Sequence, residues 1–237
     1  MSITNVPRCT MNEQAIKKML GEVLRCVVEE VARQSRGACP AQNAEGDGPI
    51  PVELSARHVH LSEKDAIALF GAPLTHARDL SQPGQFLCNE RVRIVGPKGV
   101  MDNVAILGPS RGHSQVEISK TDARVLGIDA PVRQSGDIAG TPGIILSSKT
   151  ETIGLTEGVI VASRHIHMTP EDAARFGVSD GELVDVSLNS DRPVVLCDTL
   201  VRVSPKFSLA MHIDADEGNA SGWNKKVAGT IVARKGK

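Results

Sequence analysis

The chain has no tyrosine, a single tryptophan and only 2% aromatic residues in 237 positions. Its core must therefore be aliphatic, a tyrosine general acid is excluded, and stacking of nucleic-acid bases on aromatic platforms has no support. Formal net charge is −1, which removes the bulk electrostatic case for nucleic acid or an anionic membrane surface as partner. The five cysteines (Cys9, Cys26, Cys39, Cys88 and Cys197) never fall as CxxC and are odd in number. Neither a zinc knuckle nor a disulfide framework is signalled, and free thiols in a reducing compartment are expected. No apolar run reaches the ~18 residues of a membrane span. A basic start followed by an apolar stretch and a cleavage site is also missing, so the sequence reads as a soluble intracellular protein. Neither GxxxxGK[ST] nor GxGxxG occurs, and GPKG at 96–99 is a plain turn.

Histidine is scarce as well, seven in all, yet RHVH at 57–60 and RHIH at 164–167 use four of them. The flanks repeat: VELSARHVHLSEKDA (52–66) aligns without gaps on VIVASRHIHMTPEDA (159–173). Side chains two apart on a strand point to the same side, so His58 and His60 project together, as do His165 and His167. Each pair suits one metal ion, with imidazole favouring zinc, copper, iron or nickel. A duplicated unit that keeps its histidines suggests a site built from two equivalent halves.

Short apolar or alternating runs follow one another from residue 51 onward: RVRIVGPKG, NVAILGPSR, SQVEIS, GIILSS, GVIVASR, LVDVSL, PVVLCDTLVRV and SLAMHID. Such closely spaced strand signals, punctuated by Gly, Pro and Asp, are the pattern of small β-barrels or sandwiches. After each HxH stands a helix start, Ser62 with Asp65, and Thr169–Pro170 with Asp172. The repeat unit therefore reads strand, HxH, capped helix. Ahead of it, residues 11–34 carry Ile16, Leu20, Val23, Leu24, Val27, Val28 and Val31 on one helical face. A Gly-, Ala- and Pro-rich linker follows. The expected architecture is mainly β, with two small β-barrels and short capping helices behind an amphipathic helix on a flexible tether.

Each histidine pair needs a further ligand. His212, in LAMHIDADEGNA, faces away from Leu209, Met211 and Ile213, as a surface residue or as a ligand with Asp214, Asp216 and Glu217 nearby. Glu117 lies opposite Val116 and Ile118, where a solvated glutamate and a ligand look alike. His76 and His113 read as surface residues. Arg111, in a Gly/Pro-framed turn, suits a planar grip on phosphate or carboxylate, and equally a solvated surface. The Gly-rich QSGDIAGTPG (134–143) has no role derivable from its residues.

Together the stretches SARHVHLS, LSQPGQF, GPSRGHSQVEIS, APVRQSGDIAGTPG, VIVASRHIHMTPEDA and KFSLAMHIDADEGNA resemble the phosphate propanoyltransferase family, the phosphotransacylase of bacterial microcompartments. The resemblance spans nearly all of residues 51–221. It implies interconversion of acyl-CoA (propanoyl- or acetyl-CoA) plus phosphate with acyl phosphate plus CoA, at two zinc ions per chain. His58, His60 and Glu117 would hold the first ion, and His165, His167 and His212 the second. Arg111 would bind phosphate, and Ser55, Arg78 and Asn219 would lie near CoA. The implied division is an encapsulation-type helix at 1–36, a linker at 37–50, a first barrel from 51–57 plus 158–232, and a second from 58–157. Shell or core proteins of a microcompartment would be partners through the helix, in the compartment lumen, with homo-oligomerisation open. Two rivals remain, a binuclear zinc hydrolase and a non-catalytic zinc-bearing scaffold.

Overall fold

The computed structural model describes residues 48–235; the expected helix at 1–36 and nearly all of the linker lie outside the described residues. No described helix is long and apolar enough to cross a membrane. Strands β1 (Ile50–Ser55) and β2 (His58–His60) lead into helix α1 (Glu63–Phe70). Next come β3 (His76–Asp79), β4 (Phe86–Val95), β5 (Val100–Gly108), β6 (Gln115–Glu117) and helix α2 (Lys120–Leu126). After β7 (Val132–Arg133), β8 (Ile144–Ser147) and β9 (Thr152–Leu155), the pattern restarts with β10 (Val159–Ala162), β11 (His165–Met168) and helix α3 (Pro170–Phe176). Strands β12 (Leu183–Asn189), β13 (Val194–Val203) and β14 (Ala210–Asp214) precede helix α4 (Ala215–Ser221), which β15 (Ala228–Lys235) follows.

The chain is mainly β. Six strands close a barrel in the order β1-β14-β11-β13-β12-β15, while nine others form a half-barrel sheet, β7-β10-β6-β2-β5-β4-β8-β9, with β3 on β4. Alternation builds both cores: in β12, Val184, Val186 and Leu188 are wholly buried between more exposed neighbours. Ile166, Met168, Val201 and Met211 complete the barrel interior, and Val59, Leu61, Ile94, Ile106 and Leu146 fill the half-barrel. Each such side chain is worth about 1.5–3 kcal/mol of burial, and Phe176 is the one aromatic among the largest fully buried residues. Aliphatic residues carry the rest, as the composition requires.

Seven- or eight-residue helices are marginal by themselves, and here both ends are fixed. Ser62, Ser119, Thr169 and Asp214 each accept a bond from the backbone N–H three residues on, and Gly71, Gly127, Gly177 and Gly222 end the helices in the left-handed region.

The two halves exchange strands. β1 pairs in parallel with β14, setting Glu53 beside His212; at the equivalent place in the repeat, β10 pairs in parallel with β6, setting Ile160 beside Glu117. The division expected from the sequence put 158–232 in one barrel, and the structure corrects it. β10 hydrogen-bonds to β6 and β7 of the half-barrel, and the chain enters the barrel only at β11. An apolar run such as VIVA announces a strand but not which sheet receives it.

Each crossover carries the repeated arginine. Arg57 Nε and Nη2 donate to Asp122 at 3.0 and 2.7 Å, and Arg164 pairs with Glu217. Asp122 and Glu217 are the acidic N3 residues of the α2 and α4 capping boxes, so each arginine ties a crossover to the helix behind the neighbouring strand. Asp122→Ala should therefore cost about 2 kcal/mol, reduced from a fully buried pair because Arg57 is partly exposed. Asp172→Ala, at the α3 capping box, should cost about 0.5–1 kcal/mol. Urea unfolding of both variants checks the difference, and equal losses would contradict the role given to Arg57.

Candidate metal centre and anion site

A cavity of about 370 Å³ lies where the two halves meet, lined by residues of both. The half-barrel contributes His58, His60 and Glu117. Antiparallel register puts His58 opposite Glu117, so all three side chains share one face. His58 Nε2 lies 3.2 Å from His60 Nε2, and the Glu117 carboxylate is 3.5 and 3.7 Å from the two imidazoles. One ligand atom from each lies within 4.8 Å of the others. The outward nitrogens are engaged: His58 Nδ1 meets the Ala56 carbonyl at 2.8 Å and His60 Nδ1 the Leu107 carbonyl at 3.1 Å. Donation to those carbonyls leaves both Nε2 lone pairs facing each other, an arrangement that a shared cation resolves. Two nitrogens on a tetrahedral zinc stand about 3.3 Å apart, given bonds of ~2.0–2.1 Å, which fits the separation found.

Electrostatics couple the three groups: burial works against a charged His58, but the Glu117 carboxylate holds its imidazole above the ordinary value. Burial alone would raise the Glu117 carboxyl, but the imidazoles of His58 and His60 and the hydroxyl of Ser135 hold it far below the usual carboxylate range. Burial, with the charges of His58 and Arg111, pushes His60 down to about 3. A histidine kept neutral keeps its lone pair.

The barrel contributes His165, His167 and His212, with His165 opposite His212 in the β11–β14 register. Their ring centroids lie 4.6, 4.9 and 5.2 Å apart. His165 Nδ1 meets the Ser163 carbonyl at 2.9 Å, matching His58 and Ala56. Both nitrogens of His167 and Nε2 of His212 are buried without a hydrogen-bond partner. An orphaned buried polar atom costs about 1–3 kcal/mol, a cost that a cation bound by one nitrogen of His167 and by Nε2 of His212 would relieve. Burial, with the neighbouring histidines, sets His167 to about 2 and His212 to about 3.

Arg111 faces the same cavity. Its Nη1 donates to the Ser135 hydroxyl at 2.9 Å, and that hydroxyl donates to Glu117 at 2.8 Å while accepting from Gln115. Gly136 N–H donates to the Gln115 amide oxygen at 2.7 Å. The Gly-rich 134–143 segment thus has a role after all, delivering Ser135 between the arginine and a candidate ligand. Ser55 and Arg78 line the cavity, whereas Asn219 stands exposed on α4 outside its lining. His76 is exposed and bonded to Asp79, and His113 is exposed. Ser114 is buried, bonding Ser62 N–H and Asp65 and so pinning the Arg111 loop to the start of α1. Among the cavity residues, sequence reasoning missed Ser135, Arg202 and Phe207, whose ring stacks 4.1 Å from His167.

A family model described as phosphate propanoyltransferase matches residues 51–224. This chain belongs to the phosphate propanoyltransferase family. The phosphate propanoyltransferase of Listeria monocytogenes is 52% identical over 218 residues, covering 91% of this chain and 98% of its own length. That of Alkaliphilus metalliredigens is 48% identical over 224 residues, 94% and 100% of the two chains. That of Enterococcus faecalis is 47% identical over 215 residues, 90% and 97%. Phosphate propanoyltransferases are acyltransferases that move acyl groups to phosphate, and the matched span contains both histidine groups and Arg111.

Proposed function

We propose that this chain interconverts acyl-CoA plus phosphate with acyl phosphate plus CoA, acting on propanoyl-CoA or acetyl-CoA, with two zinc ions per chain. The observation that carries the reading is the pair of strand-matched ligand groups opening on one cavity beside Arg111. His58, His60 and Glu117 would hold one ion and His165, His167 and His212 the other. Zinc there would supply Lewis acidity, favouring the thiolate form of CoA and polarising the acyl oxygen.

The chain's own residues do the rest. Arg111 takes the phosphate through its planar fork, and Ser135 fixes the guanidinium in place. A phosphate oxygen forms the new bond to the acyl carbon while the carbon–sulfur bond breaks, so phosphate itself is the nucleophile. Leu80, Leu87, Leu107 and Phe207 give the cavity an apolar side, which excludes the water that would hydrolyse thioester or acyl phosphate. Ser55 and Arg78, both in the cavity lining, would meet CoA. A binuclear hydrolase would release CoA without phosphate, and a scaffold would release none.

Phosphate-dependent release of CoA from propanoyl- or acetyl-CoA tests the reading, and release that ignores phosphate would contradict it. Arg111→Ala should raise the phosphate requirement by about thirtyfold or more, a loss of roughly 2 kcal/mol or above if the pair is desolvated. Arg111→Lys should fall between, because it keeps the charge and loses the fork. Affinity for CoA should stay nearly unchanged in both, as initial rates against each substrate will show.

The amphipathic pattern at 11–34 supports a second part of the reading, that residues 1–36 carry the enzyme into a bacterial microcompartment by binding its shell or core proteins. Removing residues 1–36 should leave an active transferase that no longer co-fractionates with shells. An inactive or unfolded product would contradict this.

A further inference from the structure

Of the four arginines lining the cavity, Arg57 is bound by Asp122, Arg111 is held by Ser135, and Arg78 is exposed to solvent. Arg202 is different. It is half-buried in β13 and has neither a hydrogen bond nor an ion pair among the described residues; its guanidinium stands 5.7 Å from the Phe207 ring centroid. A partly desolvated cation with no carboxylate beside it is costly unless an anion arrives.

The internal repeat supplies a control. In the barrel, β11 pairs in parallel with β13, setting His165, Ile166 and His167 beside Leu200, Val201 and Arg202. In the half-barrel, β2 pairs in parallel with β5, setting His58 and Val59 beside Ala105 and Ile106. One step further, His60 meets Leu107, whose carbonyl its Nδ1 contacts. Leu107 and Arg202 are therefore the same structural position, and both face the cavity. A leucine satisfies the fold there, so the arginine is not required by packing. Register sets Arg202 beside His167 on a strand that lines the cavity together with Arg111.

We propose that Arg202 is a second phosphate-binding residue, gripping from the barrel the same phosphate that Arg111 grips from the half-barrel. The inference rests on the phosphate acyltransferase reading above. Two guanidinium groups from opposite halves would hold the anion between the candidate metal groups, and neither half alone would complete the site. The phosphates of CoA share the same chemistry, and the kinetic arms below separate the two sources.

The test is Arg202→Leu, which installs the residue of the equivalent position, alongside Arg202→Lys. Initial rates are measured against phosphate and against acyl-CoA, and melting temperature is measured with and without inorganic phosphate. Arg202→Leu should raise the KM for phosphate roughly tenfold or more, with the KM for acyl-CoA within about twofold. It should also lose the rise in melting temperature that phosphate gives the native chain, and Arg202→Lys should recover part of both. If Arg202→Leu fails to fold, Arg202→Lys with a native melting temperature carries the same comparison. A raised KM for acyl-CoA alone would assign Arg202 to CoA and overturn the proposal, as would unchanged kinetics. A native chain with no phosphate-dependent turnover would sink the proposed function and this inference together. Native turnover with an unmoved Arg202→Leu sinks this inference alone.

Discussion

Side chains two residues apart on an extended strand point the same way, and the centre of this molecule depends on that constraint. It aims His58 with His60 and His165 with His167 into a common cavity. Antiparallel register then sets Glu117 opposite His58 and His212 opposite His165. A one-residue slip in either pairing would turn Glu117 or His212 into the core or out to solvent. The register must be held hard. Capped helices stand directly behind all four strands, and the buried Val116, Ile118, Met211 and Ile213 flank Glu117 and His212 on the opposite face.

Strand exchange brings the two histidine groups to one cavity. β1 belongs to the barrel and β2 to the half-barrel, whereas β10 belongs to the half-barrel and β11 to the barrel. Each HxH therefore begins where the chain passes from one half to the other, and the repeated arginines fasten both passages through the capping carboxylates Asp122 and Glu217. A domain-wise opening would leave each parallel pairing inside its own sheet and would strain instead the two short passages, 56–57 and 163–164, and the arginine contacts that fasten them. The cavity between the halves is consequently built into the topology rather than left to a surface contact. Within the cavity the repeat differs at two places, glutamate against histidine at Glu117 and His212, and leucine against arginine at Leu107 and Arg202.

Much of this was legible in the sequence because the repeat is short, ungapped and rich in a rare residue. Paired histidines, helix caps and an aliphatic β-rich body follow from local periodicity and composition. Glu117 did not, because SQVEIS reads as a strand with a solvated glutamate until β2 is laid beside it. Arg57 and Arg164 were visible as repeats, but their partners sit at distant helix starts that no local rule names. Ser135 hid in a Gly-rich connector, and Arg202 sits in the strand run PVVLCDTLVRV, where no local pattern marks it as facing a cavity. The boundary at β10 was misplaced for the same reason, since parallel pairing between distant segments leaves no local mark. Asn219, expected near CoA from family resemblance, lies outside the cavity lining.

The central claim is that the two strand-matched groups are two metal centres serving one reaction. Elemental analysis of protein purified without added metal tests it most directly, on the native chain and on His60→Ala and His167→Ala. The account predicts two zinc ions per native chain and one in each variant, with activity lost in both. One ion or none in a fully active native chain would contradict it.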